Sequence, residues 1–277
     1  MALNRRYLIL AAALLIALIS VSLFLSLNPS KQVSSKPFYL GVEFAYGSQF
    51  SQVKALVDKV KSYTNLLVIG SVLLTFNRTA LDESCDYIDK SGLNFIVLIT
   101  SYPMYNSTFG YPGNDTIFDW MGNATQKYGN HLLGFYRYDE PGGNQIDNAK
   151  FQLVHSASSQ DEASDEYVYN LGGIIHFYAA YGGRIAVTHA KIFTSDYGFT
   201  GSITHRGTSA VFGEFVGNQS RQTTIALDRG AAKSFGKPWG VIITWKYNNN
   251  PFLESNYSMY VDLAQAYSAG AHLRGGF

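Results

Sequence analysis

Seven short apolar runs, alternating with longer amphipathic segments, constrain this chain more than any other feature of it. The runs are Tyr39–Ala45, Leu66–Gly70, Phe95–Thr100, Leu132–Tyr138, Lys191–Asp196, Ala210–Phe215 and Gly240–Trp245. Gly, Asn and Pro bound them, as they bound buried strands. Between them lie helical segments. In Phe50–Ser62 the spacing of Val53, Leu56, Val57 and Val60 places four apolar side chains on one face. Leu81–Lys90, Thr116–Tyr128, Glu162–Tyr181, Gln219–Phe235 and Asn256–Ala269 fill the remaining gaps. Apolar strands alternating with amphipathic helices imply a parallel sheet covered by helices. Seven such units from Phe38 onward suit an α/β class (β/α)₈ TIM-barrel-like domain better than an open doubly wound sheet. No G-x-G-x-x-G follows the first run, which argues against a dinucleotide fold. After the last helical segment only Gly270–Phe277 remains, room for part of an eighth strand and not for its helix. The barrel is therefore expected to be incomplete at its last βα unit, with strand edges exposed.

Upstream, Tyr7–Leu27 is twenty-one residues without a charge, and about 20 apolar residues cross a bilayer core. Arg5 and Arg6 precede it, which keeps residues 1–6 cytoplasmic and places the rest outside. The expected organisation is a transmembrane signal anchor at 7–27, a polar linker at 28–37 and an extracellular barrel domain at 38–277. A cleaved signal peptide is the competing reading, but its apolar core is about 7–15 residues and ends at an A-x-A site that is missing here. Sequons at Asn77, Asn106, Asn114, Asn123, Asn218 and Asn256 agree with export, since either reading delivers the domain to a glycosylating compartment. Cys85 is the one cysteine, so the domain relies on its core and not on an intrachain disulfide. A net charge of +1 gives no electrostatic reason to expect a nucleic-acid partner.

Active sites of such barrels lie at the C-terminal ends of the strands. Those ends carry Glu43 and Tyr46 after the first, Tyr102 after the third, and Tyr138-Asp139-Glu140-Pro141 after the fourth. Asp196 and Tyr197 follow the fifth, Glu214 lies on the sixth, and Trp245-Lys246 close the seventh. Two carboxyl groups are what glycosidic cleavage needs, one to protonate the leaving oxygen and one to attack or to activate water. Aromatic faces suit the apolar side of a sugar ring. Glu140 is the expected acid and Glu214 the first choice as its partner, with Asp196, Asp139 and Glu43 the other candidates. Tyr46, Tyr102, Tyr138, Tyr197, Trp245 and Lys246, with the remaining acids, are expected to contact substrate.

Asp139-Glu140-Pro141 resembles the Asn-Glu-Pro that ends strand four in the clan of retaining TIM-barrel glycoside hydrolases. The resemblance implies that Glu140 is a general acid/base. The chain departs from that clan twice: Asp139 replaces the sugar-contacting Asn, and Thr244-Trp245-Lys246-Tyr247 stands where the clan carries its nucleophilic Glu.

Blander readings stand beside these. Asp139–Gly143 also suits a strand-to-helix turn, Glu214 a salt-bridged strand residue, and Glu43 an interior ion-pair partner for Lys246 or Arg137. The six histidines form no H-E-x-x-H, and one cysteine makes no zinc knuckle. A G-x-S-x-G elbow is also missing. No cofactor or metal is expected. The leading expectation is a membrane-anchored extracellular glycoside hydrolase-like barrel. The alternative is a non-catalytic carbohydrate-binding or cell-surface structural protein on a degenerate barrel.

Overall fold

The computed structural model describes residues 37–99, 117–137, 139–147, 152–183, 191–199, 201, 208–244 and 254–276. All seven apolar runs form strands: β1 (Tyr39–Phe44), β2 (Leu66–Ile69), β3 (Asn94–Leu98), β4 (Leu132–Tyr136), β5 (Ile192–Asp196), β6 (Ala210–Phe215) and β7 (Trp239–Ile243). An eighth, β8, spans Leu273–Gly276. Every neighbouring pair is parallel, and the order β1 to β8 closes into a barrel. The exposed edges expected at the last unit are not found. β8 pairs with β7 from Gly240↔Leu273 to Ile243↔Gly276, and with β1 from Tyr39↔Leu273 to Val42↔Gly276. Four residues suffice because successive residues turn their backbone groups to opposite sides, so the short strand serves both neighbours.

The helices are α1 (Phe50–Val60), α2 (Val72–Phe76), α3 (Arg78–Lys90), α4 (Ile117–Tyr128), α5 (Pro141–Asp147), α6 (Gln160–Gly183), α7 (Arg221–Phe235) and α8 (Asn256–Ser268). The short helices α2 and α5 have no apolar stripe long enough to announce them. Side-chain caps start several of the others. Asn77 accepts from Ala80 N at 3.2 Å, Ser220 from Thr223 N at 3.3 Å and Ser255 from Ser258 N at 3.2 Å, each satisfying a first-turn donor. Gly236, at φ 65°, ends α7 in the left-handed conformation that glycine adopts without a Cβ clash.

Strand residues alternate between two cores. Outward, Leu67, Ile69, Phe95, Val97, Phe135, Ile192 and Val211 pack against α1, α3, α4 and α6 through Val53, Val57, Leu81, Ile88, Met121 and Leu171. Phe215, Val241 and Ile243 meet α7 and α8 through Ala232 and Ala266. Inward, Leu66, Ile96, Tyr136, Phe193, Ala210, Phe212 and Ile242 fill the barrel. Burial on both faces is why these strands read as nearly continuous apolar runs. Each fully buried Leu, Ile, Val or Phe contributes about 1.5–3 kcal/mol, which lets the core hold without a disulfide. Cys85 is a buried free thiol in that core.

Among the described residues no helix is long and apolar enough to cross a membrane. The expected anchor at 7–27 lies outside them, as do Tyr102, Tyr138, Trp245 and Lys246 and the sequons at Asn106 and Asn114.

Candidate functional site

Strand parity builds the site. Side chains two residues apart share a face, so the inward set that contains Phe193 and Phe212 continues to Ser195 on β5 and Glu214 on β6. By the same rule Glu43 points inward from the end of β1. Asp139 and Glu140 leave the end of β4 on the turn into α5. Four acids from three strands therefore gather at the C-terminal mouth of the barrel.

Contacts join them into one chain. The Tyr136 hydroxyl donates to Asp139 Oδ1 and lies in hydrogen-bond contact with Ser195 Oγ. Ser195 Oγ contacts Glu214 Oε1 in turn, and Glu214 shares a side-chain hydrogen bond with Glu140. The run from Asp139 through Tyr136, Ser195 and Glu214 to Glu140 thus has four oxygen–oxygen contacts, each of which needs a hydrogen. The two hydroxyls supply one apiece. Two of the three carboxyls must supply the others, so the chain makes all four bonds only with a single carboxylate among Asp139, Glu140 and Glu214.

Burial pushes the acids in that direction. Glu214 is 3% exposed, and its pKa is raised well above the usual range by burial and then by the Glu140 charge. Asp139 is open to solvent on one side, yet the protein around it still raises its pKa by desolvation. Glu140 is raised by burial, with the hydrogen bond it shares with Glu214 opposing. Glu43 is pushed up to about 8 by burial and by Asp139. Its carboxyl lies over Gly70, where a Cβ would stand 1.8 Å from Oε1.

The remaining expected residues divide. Asp196 does not face the mouth. It is completely buried, and its oxygens accept the N–H of Gly142 and, at 2.6 Å, of Gly198. Tyr197 is half-buried, and its hydroxyl donates to Asp147 on α5. Tyr46 is 70% exposed on the loop after β1. Thr244, the residue after β7, is buried and bonded through Oγ1 to Phe215 O at 3.4 Å. The residues that composition and motif did not single out are Tyr136 and Ser195, the hydroxyls that join the acids. Their signal is the inward parity they share with Phe193 and Glu214. No group of three potential metal ligands is arranged to hold an ion among the described residues.

A polar cleft is lined by Asn218, Ser220 and Arg221 around the start of α7 and by Glu254 and Tyr257. Arg221 there bonds Asp262 at 2.8 Å and pairs with Glu254 at 3.7 Å.

No protein-family model matches the chain, and no curated protein matches it. Solved structures do. A GH1 β-glucosidase from Exiguobacterium antarcticum B7 matches with a TM-score of 0.53 and 7% identity, over 87% of this chain and 88% of that one. An endo-1,4-β-D-mannanase from Thermotoga petrophila RKU-1 matches with a TM-score of 0.51 and 10% identity, over 86% and 87%. An HpcH/HpaI aldolase from Desulfitobacterium hafniense DCB-2 matches over 90% of both chains, with a TM-score of 0.44 and 11% identity. At such identity the likeness is one of fold. One fold hosts many activities, so activity has to be argued from the site.

Proposed function

We propose that the chain is a glycoside hydrolase-like enzyme that cleaves a glycan by two-carboxyl chemistry, with Glu140 and Glu214 as the pair. The observation that carries this reading is their hydrogen bond at the barrel mouth, made by side chains from two non-adjacent strands. Glu140 is the more open of the two and meets substrate. The proton held by the pair passes through Glu140 to the leaving oxygen. The carboxylate left on Glu214 faces the positive charge that develops on the sugar and attacks its carbon. Attack by an enzyme carboxylate works at carboxyl separations of about 5–5.5 Å, whereas inversion through water needs about 6.5–9.5 Å. A pair in direct contact reaches the shorter spacing with the smaller movement, so the product keeps its anomeric configuration. Tyr46 and Tyr197, on the loops after β1 and β5, border the same end of the barrel and suit the flat faces of sugar rings.

We further propose that residues 7–27 tether the domain outside the cell, on the strength of their length without charge and the two arginines before them.

A second reading is a carbohydrate-binding barrel without catalysis. It is favoured by the closed pair, which leaves no gap for a sugar carbon, and by the lack of an acid at the end of β7, where Thr244 stands. One experiment separates the two. The full chain and its Glu140→Gln variant are incubated with soluble β-glucan, β-mannan, xylan and α-glucan, and both reducing ends and binding are measured. Release by the wild type and its loss in the variant support the enzyme. Binding by both without release supports the second reading.

A further inference from the structure

We propose that Asp196 is a positioning residue of the acid site: it grips the first turn of α5 and so fixes where the Glu140 carboxyl meets Glu214. This deepens the two-carboxyl reading and rests on it. Glu140 is the one non-glycine residue with positive φ among those described, at 46°. An L residue is held in that region only where its surroundings over-determine it.

Those surroundings come from the end of β5. Glu140 N donates to Ser195 O at 3.1 Å, and Gly142 N donates to Asp196 Oδ2. Asp196 Oδ1 is tied back to its own strand end by Gly198 N at 2.6 Å. There is no slack in the fit. A Cβ on Gly142 would stand 2.7 and 2.8 Å from the two Asp196 oxygens, and one on Gly143 would stand 2.5 Å from the Tyr197 ring. Tyr197 holds the other end of α5 through Asp147. Within the α5 side of the turn, Asn144 Nδ2 donates to the carbonyls of Asp139 and Glu140, both at 2.9 Å. Asp196 itself is fully buried and out of reach of a substrate, so whatever it does for the reaction passes through Glu140. Ser195, its neighbour, bonds Glu214. Two consecutive residues of β5 therefore set the position of both acids, one through a backbone grip and the other through a hydroxyl.

The test uses Asp196→Asn, which keeps the volume but turns one acceptor into a donor aimed at N–H groups. Gly142→Ala is the second variant and crowds the same contact from the opposite side. On the glycan that the wild type cleaves, each should lower kcat by on the order of 10²-fold, the cost of an ångström-scale misplacement, with KM within about twofold. Side-chain ¹³C NMR titration of the glutamates, without substrate, should show Glu140 and Glu214 titrating as a coupled pair in the wild type and independently in both variants. A kcat within twofold of wild type, or a coupled titration that survives in the variants, overturns the proposal. Should the wild type cleave no glycan, the function reading fails by itself. The titration then still decides: coupling lost in the variants supports the grip, and coupling retained refutes it.

Discussion

Glu140 and Glu214 share a hydrogen bond although β5 lies between the strands that deliver them. Ser195 on that intervening strand adds a second link, because its hydroxyl reaches Glu214 on one side and Tyr136, the donor to Asp139, on the other. Three adjacent strands thus act as one unit, and the acids at its two ends feel each other's protonation.

Substitutions at the pair should separate function from stability. Glu140→Gln and Glu214→Gln are each expected to lower the cleavage rate by about 10²–10⁴-fold, the usual contribution of a positioned proton donor or acceptor. Glu214→Gln should nevertheless leave the thermal midpoint unchanged or raised at pH 8. The wild-type group resists ionising in its buried position, and Gln holds the same shape without a charge to bury. Parallel measurement of kcat and of thermal unfolding checks both halves. A midpoint that falls by several degrees at pH 8 would show that Glu214 is charged in the native protein.

Much of this was legible in the chain. Each of the seven apolar runs is a strand, and the acids placed at strand ends include Glu140 and Glu214, which do meet. Other parts were hidden, for physical reasons. β8 is four residues, two of them glycine, and carries too little apolar signal to be read apart from its two neighbours. Asp196 stands at a strand end like Glu214, but a strand's last residue can turn either to the mouth or to the adjoining loop. Only the backbone donors of Gly142 and Gly198 settle which. Ser195 and Tyr136 are ordinary residue types, and their role depends on register between strands that lie 59 residues apart in sequence.

Breaking the hydroxyl bridge should change the proton inventory. Tyr136→Phe removes the donor to Asp139 and a partner of buried Ser195, and Ser195→Ala removes the contact to buried Glu214, so each takes a partner from a buried polar group. Each is expected to cost about 1–3 kcal/mol of stability, the range for an orphaned buried polar group. Infrared spectra at pH 7 should show two carboxylic-acid carbonyl bands from this cluster in the wild type, shifted in both variants. A spectrum with no protonated carboxyl at pH 7 would contradict the four-bond chain.

The same burial sets the direction of pH dependence. Glu43 is raised from 4.5 to about 8 and Asp196 from 3.8 to about 6. A folded-state pKa above the unfolded one means that the native protein binds more protons, so stability falls as pH rises between the two values. The domain should therefore be more stable near pH 5 than near pH 8.5, with most of the loss spread between about 4.5 and 8. Surface acids whose pKa values are lowered, such as Asp86 beside Lys127, act in the opposite sense below pH 4, where solvent screening keeps their effect small. Glu43→Gln should flatten the curve and add on the order of 2 kcal/mol at pH 8.5, less than the full shift implies because Glu43 is partly open to solvent. Denaturant midpoints across pH 4.5–9 provide the check.

Gly70 offers a test of where Glu43 lies. A methyl group there would stand 1.8 Å from Glu43 Oε1 and 2.7 Å from its carboxyl carbon, a clash that requires the side chain to leave its position. Gly70→Ala should therefore destabilise, but by less than the roughly 1–3 kcal/mol of overpacking in a closed interior, because the displaced atoms end a flexible side chain with an open side. It should also displace the carboxyl that faces Asp139. In a Glu43→Ala background the obstacle is gone, and the same Gly70→Ala change should cost little. The coupling energy of that double-mutant cycle, read from urea unfolding, is expected to approach the full cost of the single substitution. A cost that persists undiminished without the Glu43 side chain would mean that the carboxyl does not lie over Gly70, and that the acid assigned to the end of β1 points elsewhere.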